Sequence, residues 1–194
     1  MIRLILIAGI LTLVSCSVQK AGGNLSDEDG YIYYEQPAPQ MRMQLYGDYK
    51  FHSIKRKHFR EVDKSFLKYT TSKANRTAPK LMFAAHTFVH PFYSTLGLVY
   101  KGQQVNDDVL ATIKQSLQER LQTTFNGVDS FYTNLGTAIY FSYPVQHPVA
   151  GTATIHREYL INHQKDLIRF YFWTAMSDTA MVFREAELIL KNIK

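Results

Sequence analysis

The sequence predicts an α+β fold in which helices pack on both faces of an antiparallel sheet. Three observations predict it. The chain closes with two long strand-like runs, 152–161 and 167–175, followed by an amphipathic helix. The second run places Ile168, Phe170 and Phe172 on one face and Leu167, Tyr171 and Trp173 on the other. A strand apolar on both sides must be covered on both sides. A capped helix also precedes these strands, so the order is strands, helix, strands, helix.

The chain begins with Met1-Ile2-Arg3 and a nearly unbroken apolar run from Leu4 to Val14. That run is too short to span a bilayer, which takes about 20 residues. A cationic start, a short apolar stretch and a small residue before the break describe an export signal over residues 1–15. The residues Leu13-Val14-Ser15-Cys16 resemble the bacterial lipobox. The resemblance implies cleavage before Cys16, diacylglycerol on its sulfur and a further acyl chain such as palmitate on the new amino group. Several chains on one residue anchor stably, where a single chain is marginal. The alternative is an ordinary signal peptide that leaves Cys16 as a free thiol in an oxidising compartment.

Cys16 is the only cysteine, so the chain has no disulfide and no zinc–thiolate cluster. Stability must come from packing, supplied by 13 Tyr, 12 Phe and 1 Trp. The formal charge of +6 would attract anionic lipids and polymers. Export argues against nucleic acid as a partner.

Residues 16–40 read as the modified cysteine and a flexible tether, with Gly22-Gly23, the acidic run 26–30 and Pro37-x-Pro39. Such a stretch reaches roughly 25–30 Å. Tyr31-Ile32-Tyr33-Tyr34 interrupts it, either as a segment docking on the domain or as a binding epitope. Residues 41–194 form a single globular domain.

Within the domain, Phe59, Val62, Phe66 and Tyr69 recur at helical spacing. Lys57, Arg60, Lys64 and Lys68 lie on another face of the same segment, which is either solvated or rests on membrane or partner. Residues 81–100 read as extended. Asn106-Asp107-Asp108 starts the clearest helix, with Leu110, Ile113, Leu117 and Leu121 as its core stripe and Asn126-Gly127 as its stop. Residues 137–143 are strand-like, and Pro144 and Pro148 punctuate the connection to the next strand. Asn162-His163-Gln164-Lys165 signals a hairpin. Ser177-Asp178 caps a final helix with Val182, Ala186, Ile189 and Ile193 on its buried stripe.

From about residue 81 onward this order resembles the PsbP-like α/β/α sandwich. The long strand Thr154–Ile161, its return through Phe170-Tyr171-Phe172 and the helix around Ala186–Leu190 carry the resemblance. It implies a non-catalytic accessory or binding role and transfers no functional residue.

Catalytic motifs are missing from the sequence: it has no nucleophile elbow, phosphate-cradling loop or dinucleotide fingerprint. His86 and His90 have a metal-binding spacing only on a helix. On a strand they stand roughly 13 Å apart, too far for one ion. No catalytic residue, metal or cofactor is assigned. Glu158 and Asp166 are expected to pair with Arg157, Arg169 or Lys165 across the hairpin.

The reading is therefore an exported, membrane-anchored lipoprotein acting as a non-enzymatic accessory or binding protein of the cell envelope. The bilayer is met through acylated Cys16, and an envelope protein is the expected partner. A two-membrane organism would carry it on the outer membrane. The alternatives are an envelope hydrolase or a carrier of a small apolar ligand.

Overall fold

The computed structural model describes residues 24–37, 39–46, 49–51, 80–87, 94–146 and 153–194. The first strands lie within the stretch whose composition predicts a tether. β1 (Asn24–Glu28), β2 (Tyr31–Pro37) and β3 (Gln40–Tyr46) form an antiparallel three-stranded meander. Asp29 and Gly30 alone join β1 to β2, at φ 52° and 77°. Two successive positive φ values are what a type I′ hairpin needs, and Asp-Gly is a favoured pair for it. Tyr34 has no exposed surface, and its hydroxyl donates to the Met82 carbonyl at 2.8 Å. The tyrosine-rich segment thus docks on the domain, and the tether reading fails from Asn24 onward.

β4 (Tyr49–Phe51), β5 (Lys80–Thr87) and β6 (Ser94–Tyr100) start a second, seven-stranded sheet. α1 (Asp107–Leu121) then carries the chain to the far edge, where β7 (Asp129–Thr133) begins. β8 (Gly136–Gln146), β9 (Ala153–His163) and β10 (Asp166–Ala175) step back until β10 meets β6. The strand order is β4-β5-β6-β10-β9-β8-β7, antiparallel throughout. A short 3-10 turn, Met176–Asp178, leads into α2 (Thr179–Lys191).

Both faces of β10 are buried, as its pattern requires. Ile168, Phe170 and Phe172 join one apolar cluster with Tyr159, the meander's Tyr34, Met43 and Leu45, and α2's Val182, Ala186 and Ile189. Leu167, Tyr171 and Trp173 join another with Phe141, Tyr143, Leu160 and α1's Leu117. The fold is mixed α+β with antiparallel sheets. The meander shares a cluster with α2, a feature absent from the expected plan.

Local details depart from the sequence reading at three points. α1 ends at Gln122, which takes left-handed geometry (φ 49°) and donates its N–H to Gln118, so Asn126-Gly127 is not the stop. Instead Asn126 N–H donates to the Ser142 carbonyl on the outer edge of β8. Pro144 does not end β8. It lies past the last residue paired with β7, where one edge of the strand needs no donor. Neither Ser177 nor Asp178 caps α2 through its side chain; the Ser177 hydroxyl turns to Asp178 Oδ1.

The end of the chain is tied to the meander. Arg42 N–H donates to the Lys194 oxygen at 2.7 Å, and Lys194 N–H donates back to the Arg42 carbonyl at 3.0 Å.

Candidate functional site

Cys16 and the basic residues Lys57, Arg60, Lys64 and Lys68 lie outside the described residues, as does His90. Two places among the described residues concentrate polar chemistry. One is buried within the sheet and the other is a cleft at the surface.

The buried place is built by three neighbouring strands. Glu158 on β9 is fully buried, directly opposite Phe141 of β8 and Tyr171 of β10. Arg169 stands one diagonal step away on β10. Its Nε and Nη2 donate to Glu158 Oε2 at 2.8 and 2.6 Å, while Tyr143 donates to Oε1 at 2.7 Å. Arg169 Nη1 also reaches the Tyr100 hydroxyl at 3.1 Å, and its guanidinium lies 4.6 Å from the Tyr171 ring centre. Further along the same face, the rings of Tyr143, His156 and Trp173 stack across β8, β9 and β10.

Burial pushes the Glu158 carboxyl above its ordinary value, opposed by the Arg169 charge and the Tyr143 hydrogen bond. Burial pulls Arg169 down, but Glu158 and its tyrosine neighbours hold it well above its ordinary value. The first shift favours a neutral acid and the second an ionised pair. Three donors within hydrogen-bond distance of one carboxyl decide for the ionised pair at neutral pH. Both oxygens of the Glu158 carboxylate are met by donors from β8 and β10, so the pair holds three neighbouring strands in register.

Arg157 takes a different partner from the one the hairpin suggested. It reaches Glu187 of α2 at 3.1 Å and Ser142 at 2.7 Å, with its guanidinium 4.1 Å from the Phe183 ring centre. This contact ties β9 to α2. Asp166 accepts the Gly102 N–H at 2.8 Å. Among the described residues no three His, Cys, Asp or Glu side chains gather where they could share a metal ion. No helix of the described residues is long and apolar enough to cross a membrane.

The surface cleft, of about 130 Å³, opens between the meander and the end of α2. Tyr31, Gln44, Leu45, Leu188, Ile189 and Asn192 line it. Beside it, Ala180, Met181, Arg184 and Glu185 line a shallower depression on α2 that also includes Leu188. Sequence reasoning missed the cleft because the composition of the meander is that of a tether. The Asp29-Gly30 hairpin signal is the clue that places its first wall.

No protein-family model matches the chain, and no curated protein matches it in sequence. Its fold is similar to the solution structure of cyanobacterial PsbP (CyanoP) from Synechocystis sp. PCC 6803, with a TM-score of 0.53 and 10% identity over 94% of this chain and 98% of that one. A weaker likeness, with a TM-score of 0.40 and 8% identity over 80% and 82% of the two chains, is to LpqN of Mycobacterium tuberculosis, a protein involved in cell envelope biogenesis.

Proposed function

We propose that this protein with a PsbP-like fold is a membrane-anchored lipoprotein of the bacterial envelope, acting as a non-enzymatic accessory or binding protein. The observation that carries the proposal is Leu13-Val14-Ser15-Cys16 at the close of an apolar leader. Two further features support it. The likeness to CyanoP is one of architecture, and the resemblance to that fold implies an accessory role. The buried Glu158 carboxylate takes its hydrogen bonds from Arg169 and Tyr143 of the neighbouring strands, a structural use of the charge.

The two apolar clusters on either side of β10 are read as the two layers beside the central sheet of an α/β/α sandwich. The basic residues Lys57, Arg60, Lys64 and Lys68 would face anionic headgroups or a partner, an attraction that salt would weaken. On a two-membrane cell the outer membrane is the proposed site.

Cross-linking in intact cells followed by affinity capture tests the binding role. A specific envelope protein is expected with the native chain, and its yield should fall with Cys16→Ser. Recovery of no partner above a tag-only control would count against the proposal.

A further inference from the structure

The cleft between the meander and α2 combines an aromatic ring, two primary amides and aliphatic walls. None of the six residues that line it carries a charge. A site without charge gives no advantage to an ionic ligand, since desolvating an ion there would be uncompensated.

The backbone adds a donor and an acceptor. Arg42 turns both its N–H and its C=O away from β2 to meet Lys194. Backbone groups alternate sides along an antiparallel strand, so Gln44, two residues on, presents its N–H and C=O to the same outer edge. That edge carries the cleft, and among the described residues no backbone partner meets Gln44 there. The amide side chains of Gln44 and Asn192 each supply both donors and an acceptor. Hydrogen-bonding capacity is therefore dense, neutral and of both kinds, beside the apolar surface of Leu188, which is 45% exposed.

Size narrows the ligand further. A cavity of about 150 Å³ takes one six-membered ring such as benzene. The volume here, about 130 Å³, is of that order, so the cleft seats one ring whose substituents reach its open mouth and the adjoining depression of about 450 Å³ that shares Leu188. An extended peptide suits the site less well. Lys194 already occupies the edge at Arg42, so an added strand would find only the short stretch holding Gln44 and Tyr46.

The geometry points to a binding subsite for a neutral, polyhydroxylated six-membered ring, a single uncharged pyranose, held by Gln44 and Asn192 against Tyr31 and Leu188. The inference rests on the binding role proposed above and names a ligand class for it. The ring's C–H face meets the tyrosine and leucine, and its hydroxyls exchange hydrogen bonds with the two amides and the strand edge.

The test is a ¹H–¹⁵N NMR titration of the detergent-solubilised full chain with D-glucose and N-acetyl-D-glucosamine. D-glucuronate, phenol and tetra-alanine serve as comparison probes. Saturable shifts of the Gln44 backbone and the Gln44 and Asn192 side-chain amides are expected with the two neutral sugars, and weaker ones with glucuronate. Asn192→Ala should weaken binding about 10-fold, the loss of one well-made hydrogen bond. Leu188→Ala, at another exposed position, should weaken it too if Asn192→Ala proves unstable. No saturable shift with either sugar would overturn the proposal, as would a response to phenol or tetra-alanine alone. Failure here with Cys16 acylated removes the ligand but leaves the anchored binding protein; sugar binding with Cys16 unmodified does the reverse.

Discussion

Arg169 Nη2 lies 2.6 Å from Glu158 Oε2, across one diagonal of the β9–β10 ladder, and the carboxylate has no exposed surface. A buried pair of this kind is weak evidence for stability as such, yet removing one partner strands the other charge. Arg169→Met alone is therefore expected to cost about 3–5 kcal/mol. Glu158→Leu combined with Arg169→Met should recover much of that loss, because no charge is left unpaired. Tyr143→Phe, which removes a single donor to the charged acid, should cost about 1.5–3 kcal/mol. Urea unfolding of the four proteins checks the ranking; a double variant as unstable as the single one would contradict it.

Gly97 gives way to a ring. A Cβ there would stand 2.6 Å from Phe83 Cε1 and 3.0 Å from Met82 Cε. The Phe83 ring cannot retreat freely, since Tyr34 and Phe170 flank it with ring centres 5.0 and 6.2 Å away. Gly97→Ala should destabilise by about 1–3 kcal/mol through overpacking. Adding Phe83→Leu should restore part of it. Thermal unfolding of the single and double variants measures the difference.

Three buried phenols set an alkaline limit. Burial raises Tyr34, Tyr159 and Tyr171 above the ordinary tyrosine value. Unfolded tyrosines lose their protons near pH 10, whereas the folded chain retains these three. Between those values the unfolded state binds fewer protons, so stability falls as pH rises. The contribution is fully present below about pH 10 and declines by about 1.4 kcal/mol per pH unit for each phenol above it. Tyr34→Phe should make the decline shallower by one phenol's share. Denaturant midpoints measured from pH 8 upward give the slope, and an unchanged slope would remove Tyr34 from the account.

The start of α1 depends on one side chain. Asn106 Oδ1 accepts the Val109 N–H at 2.9 Å, and Asp107 and Asp108 occupy the first turn. Asn106→Ala should cost about 1 kcal/mol, and Asn106→Asp should cost little. Hydrogen exchange should show the loss at Val109 first.

Legibility followed the range of the interactions. α1, the β9–β10 hairpin and the buried stripe of α2 are written in local periodicity, and their side chains face as the pattern requires. Glu158 pairs with Arg169 because strand neighbours can be read from a hairpin. Arg157 could not be assigned that way, since Glu187 lies on a later helix. The meander was obscured by its own composition. Acidic and glycine residues that describe a tether also make the turn at Asp29-Gly30, and only the burial of Tyr34, Met41 and Met43 against distant strands separates the two readings. The cleft depends on β3 lying beside α2, a contact that joins segments far apart in the chain.

Intact mass and fragment analysis of the native N-terminus tests the anchoring claim most directly. The expected species begins at Cys16 and carries diacylglycerol on its sulfur. A native protein whose first residue is Met1, or whose Cys16 carries an unmodified thiol, would contradict it.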